Sequence, residues 1–310
     1  MCGIGGLILE KPGNIGNLLV QMLGGCQHRG PDSTGFALYG EQNGTVLICR
    51  MYLGCPGDSS AAHELQGKVL AVIADHSGQV LDKRFEREHL RLELNYRDDV
   101  QALCYDIENK AGVEIFSIGA GLEIIKDIGT AEEVDREYNL SSLQGTHGIG
   151  HVRLATESRV DVSRAHPFWA YGFNDVAIVH NGQITNYHKM KRRLIKRGFQ
   201  FRTDNDSELI AVYLADKLAS GCSLDGALAE SVGELDGTFS FLVSTLDQIG
   251  YAKDTLAAKP MVVLEQNRTV AIASEEVSLQ RLFPGQALSI YEPFPGTFKT
   301  WSKSTPKAKV

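Results

Sequence analysis

Apolar residues in this chain arrive in runs of strand length, among them GLIL (6–9), FALY (36–39), VAIV (176–179), FSFLVS (239–244), MVVL (261–264) and VAIA (270–273). Short apolar runs of this kind, punctuated by Gly, Asn and Asp, read as buried or half-buried strands. Helical periodicity falls into separate blocks between groups of such runs. The combination predicts an α+β fold of layered antiparallel sheets and disfavours a parallel sheet built from regular strand–helix–strand units. None of the runs approaches the roughly 20 apolar residues of a membrane-crossing helix.

Bulk properties narrow the function. The 310 residues are 43% hydrophobic, ample for one large domain. Net charge is −7, from 31 basic and 38 acidic residues, which argues against nucleic acid as the main partner. The opening MCGIGGLILEKP has no basic stretch ahead of its apolar run, so no signal peptide is expected. Cys2, Cys26, Cys49, Cys55, Cys104 and Cys222 are scattered without a C-x-x-C pair, and the histidines show no zinc-ligand spacing. Reduced thiols in a cytoplasmic protein are expected, with no metal and no cofactor.

Along the chain, residues 3–9 read as a buried strand. Residues 15–26 read as a helix with Ile15, Leu18, Leu19, Met22, Leu23 and Cys26 on one face. TGFALYG (34–40) and TVLICRM (45–51) read as two strands of a hairpin. Residues from about 52 to 110 are charge-dense and read as a surface insertion, with HLRLELNY (89–96) as an exposed strand. Strand patterns return from 113, with an acidic helix at 130–138. A basic amphipathic helix at 184–197 turns Ile184, Tyr187, Met190, Leu194 and Ile195 inward, its cations reading as a solvated face. Thr203–Asp206 caps a further helix and Ser223 another. Short strands then run to about 300, ahead of a polar tail at 301–310. The expected organisation is one domain over 2–300.

Chemistry centres first on Cys2. Removal of Met1 leaves a thiol and a free α-amino group on one residue, and an α-amine with an ordinary pKa of about 7.7–8.0 accepts protons near neutrality. QHRGPDSTG (27–35) places Arg29 at a rigid turn. HVRLAT (151–156) ends a strand on Arg153, whose fork suits a carboxylate. HNG (180–182) sets Asn181 and Gly182 at a strand end, where a side-chain NH2 and a backbone N–H converge as an oxyanion hole in an amide hydrolase. RTDNDSELI (202–210) puts Asp206 at a helix start. Each has a plainer reading alone: a chance Cys, a surface turn, a surface salt bridge, a β-turn and a helix cap.

Taken in this order, MCGI, RGPD, HVRLAT, AHPF, HNG and NDSE resemble the class II glutamine amidotransferases, a branch of the N-terminal nucleophile hydrolases. The resemblance covers residues 2–51 and roughly 113–290. It implies a four-layer αββα sandwich, with two antiparallel sheets between helical layers. It also implies that Cys2 attacks the side-chain amide carbon of glutamine, with Asn181 and Gly182 stabilising the oxyanion. Arg153 would take the substrate α-carboxylate and Asp206 its α-ammonium, with Thr156 and Arg29 completing the substrate site. Thr156–His166 would form a lid, whereas His166 itself reads as a packed structural residue. Leu154 and Glu157 depart from the amidotransferase half of glucosamine-6-phosphate synthase, which carries an aromatic residue and a His there.

With the chain ending near 310, no complete synthase domain is expected to follow. The resemblance therefore implies a glutaminase subunit like those of N-methylglutamate synthase and split glutamate synthases. Its ammonia would pass to synthase subunits of FMN and iron–sulfur type. The alternatives are a non-catalytic regulatory subunit that keeps the fold and a relative of amidophosphoribosyltransferase.

Overall fold

In a computed structural model, which describes residues 2–40, 44–154, 161–266 and 268–303, the first apolar run becomes β1 (Gly3–Gly13). The periodic block after it becomes α1 (Ile15–Gly25), started by Asn14, whose side chain accepts from the Asn17 N–H. There follow β2 (Ser33–Tyr39), β3 (Val46–Tyr52), α2 (Ser60–Asp75), β4 (Gln79–Glu86), β5 (His89–Asn95), α3 (Val100–Ala111), β6 (Glu114–Gly119), β7 (Leu122–Ile128), α4 (Ala131–Tyr138) and β8 (Gly145–Arg153). The rest of the chain forms β9 (Phe168–Trp169), β10 (Ala177–Ile184), α5 (Tyr187–Lys196), α6 (Asp206–Ala219), α7 (Leu224–Glu234), β11 (Gly237–Ser244), β12 (Gln248–Lys253), β13 (Val262–Gln266), β14 (Thr269–Ala273), α8 (Glu276–Leu282), β15 (Ile290–Tyr291) and β16 (Phe298–Ser302).

Two antiparallel sheets lie face to face. A seven-stranded sheet runs β15-β13-β14-β1-β8-β2-β7, and a five-stranded sheet runs β16-β12-β11-β10-β9. Strand alternation sorts the side chains. Ile4, Ile8 and Ala37 of the first sheet meet Val179, Leu242 and Ile249 of the second in one core. On the far side of the first sheet, Leu7 and Phe36 pack with Leu19 and Leu23 of α1 and with Leu279 of α8. On the far side of the second, Ile178 and Phe241 pack with Leu209 and Ile210 of α6 and Leu228 of α7. Each large side chain buried this way contributes about 1.5–3 kcal/mol. The layers are those expected: α+β, helices outside, two antiparallel sheets within.

Three local expectations change. First, β2 and β3 do not pair. β2 lies between β7 and β8, whereas β3 belongs to a third, four-stranded sheet in the order β4-β5-β3-β6. Both strands alternate suitably for a hairpin, but β2 pairs with β7 and β8, and β3 with β5 and β6. Second, HLRLELNY is no exposed strand. As β5 it sits between β3 and β4, and Leu90, Leu92 and Leu94 are fully buried. The insertion supplies α2, β4, β5 and α3, whose Val69, Val72, Leu103 and Ile107 join Leu47 and Met51 in a core continuous with that between the main sheets. Its charges are also partly internal: Arg91 is buried and, like the buried Arg50 of β3, hydrogen-bonds to Glu123 of β7. Third, Ile195 of α5 is 51% exposed, and Trp301 of the presumed tail is a buried strand residue.

Among the described residues, no helix is long and apolar enough to cross a membrane.

Candidate active site

β1 and β8 are neighbours in the first sheet, and β10 belongs to the second. Around their ends lies a cavity of about 850 Å³, lined by Cys2, Arg153, Leu154, Asn181, Gly182 and Asp206 among others. Cys2 and Asp206, 204 positions apart, thus share one space, because the central strand of one sheet and a strand of the other end at the same edge.

The Cys2 main chain is held from two sides. Arg29 Nε donates to the Cys2 carbonyl at 3.0 Å, and Asn181 Nδ2 donates to the same oxygen at 3.0 Å. The thiol lies 3.8 Å from the Leu154 carbonyl. Arg29 is fixed in turn by Glu275, just ahead of α8, at 2.5 Å. Its turn sits tight against β8: a Cβ on Gly30 would come within 2.6 Å of the Val152–Arg153 backbone. The Asp32 N–H donates to the Arg153 carbonyl. Arg29 is not among the cavity-lining residues; it braces Cys2 from behind.

Arg153, at the end of β8, is 9% exposed and lines the cavity; burial holds its guanidinium below the ordinary arginine range, against the pull of nearby groups. Asp206 opens α6, with Asn205 as the actual cap residue, its side chain accepting from the Ser207 N–H. Burial pushes the Asp206 carboxyl up. Bonds from His180 and from the Ile184 and Ser207 N–H groups outweigh it and hold the group below its usual value.

The second sheet leaves one edge of β10 open here. β11 pairs with β10 throughout, whereas β9 covers only Ala177 and Ile178. On the open edge the His180 N–H donates to His166 Nδ1 at 3.3 Å, and the Ile184 N–H donates to Asp206 Oδ2 at 2.9 Å. Strand alternation puts the Gly182 N–H on the same edge, between those two. Gly182 has φ +147°, and a Cβ there would lie 2.1 Å from the Thr238 carbonyl oxygen, so only glycine fits. Asn181 uses one of its two amide hydrogens on Cys2, leaving the other for a second acceptor.

Sequence reasoning missed several residues here. Arg164 and Lys259 also line the cavity, as do His151, His180 and Ser207, beside His166, which reads from sequence as a packed structural residue and is buried. His151 stacks on His166 with ring centroids 4.0 Å apart. HVR, AHPF and HNG each displayed a histidine, but nothing local signalled that the three would meet. Thr156 and Glu157, with the first half of the expected lid, lie outside the described residues. Among the described residues, no group of three or more His, Cys, Asp or Glu is placed to hold a metal ion.

Cys2 thus stands at the head of the central strand of one of two face-to-face antiparallel sheets with helices outside, and it opens on this cavity. Residues 151–281 match the glutamine amidotransferase domain family. The chain is 38% identical over 291 residues to a "Putative glutamine amidotransferase" of Methanothermobacter thermautotrophicus, covering 91% of this chain and 94% of that one. It is 36% identical over 310 residues to the "Glutamine amidotransferase-like protein GlxB" of Rhizobium meliloti, covering 97% and 98%. The chain belongs to the glutamine amidotransferases. Among solved structures, glutamine phosphoribosylpyrophosphate amidotransferase from B. subtilis shares the fold with a TM-score of 0.60 at 18% identity, over 98% of this chain and 49% of that one. This chain therefore spans about half the length of that enzyme.

Proposed function

We propose that this amidotransferase hydrolyses the side-chain amide of glutamine with Cys2 as nucleophile, once Met1 has been removed. The observation that carries the reading is the shared cavity. It gathers a thiol, two donors for an oxyanion, a guanidinium and a carboxylate around one space with room for an amino acid. Cys2 Sγ attacks the amide carbon, and the oxygen takes up charge between Asn181 Nδ2 and the Gly182 N–H. The α-amine relays the thiol proton to the leaving nitrogen, the C–N bond breaks, and ammonia departs from a thioester. Water then attacks the thioester carbon and returns glutamate and free thiol. Arg153 binds the α-carboxylate through two parallel hydrogen bonds, and Asp206 the α-ammonium. Arg29 acts on Cys2 and not on the substrate. Thr156 would complete the site.

The reading extends to one amidotransferase domain over 2–300 that passes its ammonia to a separate synthase of glutamate-synthase type, in the cytoplasm. Two relatives matched over nearly their full lengths support an amidotransferase of this size, and the free state of all six cysteines supports a reducing compartment. Purified protein with Cys2 at its N-terminus, confirmed by mass, is expected to release ammonia from glutamine, alone or with its synthase. Cys2→Ala should abolish the release. Ammonia release that survives Cys2→Ala would overturn the assignment.

A further inference from the structure

Two acceptors brace the open edge of β10 on either side of the Gly182 N–H, His166 Nδ1 at His180 and Asp206 Oδ2 at Ile184. These braces are joined through side chains. Ser207 Oγ lies 3.2 Å from His166 Nε2 and 3.0 Å from His180 Nδ1, and His180 Nδ1 lies 3.6 Å from Asp206 Oδ1. Ser207 and His180 are 1% and 3% exposed, and His166 is 6% exposed. The result is a closed hydrogen-bonded ring: His180 main chain, His166 ring, Ser207 hydroxyl, His180 ring.

Donor and acceptor roles follow from the one member that has no choice. A backbone N–H only donates, so His166 Nδ1 is the bare nitrogen. Burial, reinforced by the neighbouring His151 and His180, holds the His166 ring neutral well below its ordinary range. A neutral ring with a bare Nδ1 carries its proton on Nε2 and donates it to Ser207 Oγ. The hydroxyl then lies within hydrogen-bond distance of both histidine rings, on the residue that follows the proposed ammonium ligand.

We propose that Ser207 is a positioning residue that ties the α-ammonium site at Asp206 to the oxyanion donor at Gly182, by locking His166 and His180 into one arrangement. This rests on the glutaminase reading of the cavity. Asp206 keeps its bond from the Ile184 N–H without the ring, and Arg153 is no member of it, so loosening the ring leaves both in place. What it disturbs is the aim of the Gly182 N–H, which matters as charge develops on the amide oxygen. The signature is a fall in kcat with KM nearly unchanged.

Steady-state glutamine hydrolysis by wild-type protein, Ser207→Ala and Ser207→Thr tests this, together with 15N spectra of histidine-labelled protein. Ser207→Ala should lower kcat at least tenfold and leave KM within threefold. Ser207→Thr, which keeps the hydroxyl, should recover most of the loss. In wild-type spectra His166 should read as the Nε2-protonated neutral tautomer, and Ser207→Ala should shift the His166 and His180 ring signals. An unchanged kcat in Ser207→Ala, a rise confined to KM, or an Nδ1-protonated His166 would each overturn the proposal. The spectra read the ring without turnover, so a wild-type protein that fails to hydrolyse glutamine sinks the glutaminase reading separately.

Discussion

One N–H of Asn181 holds the Cys2 carbonyl, and in the proposed mechanism its second meets the substrate oxygen, so Asn181→Ala would remove a brace and an oxyanion donor together. Its kcat for glutamine hydrolysis is expected to fall by about 10²–10³; a loss under threefold would show that Asn181 only fixes the main chain. Arg153→Lys keeps the charge but loses the fork, and should raise KM for glutamine by roughly tenfold with kcat little changed. Binding of glutamate by calorimetry gives the same comparison without turnover. At this scale the site was largely legible. Cys2, Arg153, Asn181, Gly182 and Asp206 each have a plainer reading alone, and it is their joint order along the chain that marks them. Their supports are not so marked: Glu275 reaches Arg29 across 246 positions, and His151 and Ser207 look ordinary until three segments converge.

Elements bring these residues to the site, and α6 depends on the segment ahead of it. Buried Glu208 accepts from the Arg202 N–H at 2.8 Å, the Thr203 N–H at 2.7 Å and the Thr203 hydroxyl at 2.6 Å, pinning the approach to the helix that presents Asp206 and Ser207. Glu208→Ala leaves buried donors unmet and should cost about 2–3 kcal/mol in denaturant unfolding, with a raised KM for glutamine. Far from the site, Thr130 and Glu133 form a reciprocal capping box at the start of α4. Thr130→Ala there should cost about 1 kcal/mol and leave hydrolysis unaltered. Some helix starts were readable because caps are local chemistry, as Ser223 at α7 shows. The caps Ser59 of α2 and Asp99 of α3 went unread, and α5 begins at Tyr187, not at Ile184, which ends β10. Strand partners were not readable. The alternation in FALY and VLIC states which face is buried but not which sheet the strand joins, and so β2 and β3 passed for a hairpin.

Across the whole molecule, the third sheet is fastened to the first through Glu123, whose carboxylate takes Arg50 and Arg91 and is held down to about 2 by them despite its burial. Its folded value lies below the unfolded value of about 4.3, so the stabilisation is complete above that pH and is lost as pH falls toward about 2. Glu123→Gln breaks a buried network and should destabilise by about 3–5 kcal/mol at neutral pH. A higher window belongs to His147, pushed down to about 4, and to His89 and His151, each near 3, all by burial. The unfolded chain protonates these rings near 6.5 while the fold keeps them neutral. Stability should therefore decline as pH drops below about 6.5, by up to about 1.4 kcal/mol per pH unit for each ring. Unfolding midpoints between pH 7 and 4 measure it. Finally, the two clamps on Cys2 grip its carbonyl, whose carbon is three bonds from Sγ, the proposed nucleophile. Placement and reactivity are thereby separate inheritances: a serine or threonine at this position would arrive at the same address with a different chemistry. The scaffold can try out nucleophiles without being rebuilt around each one.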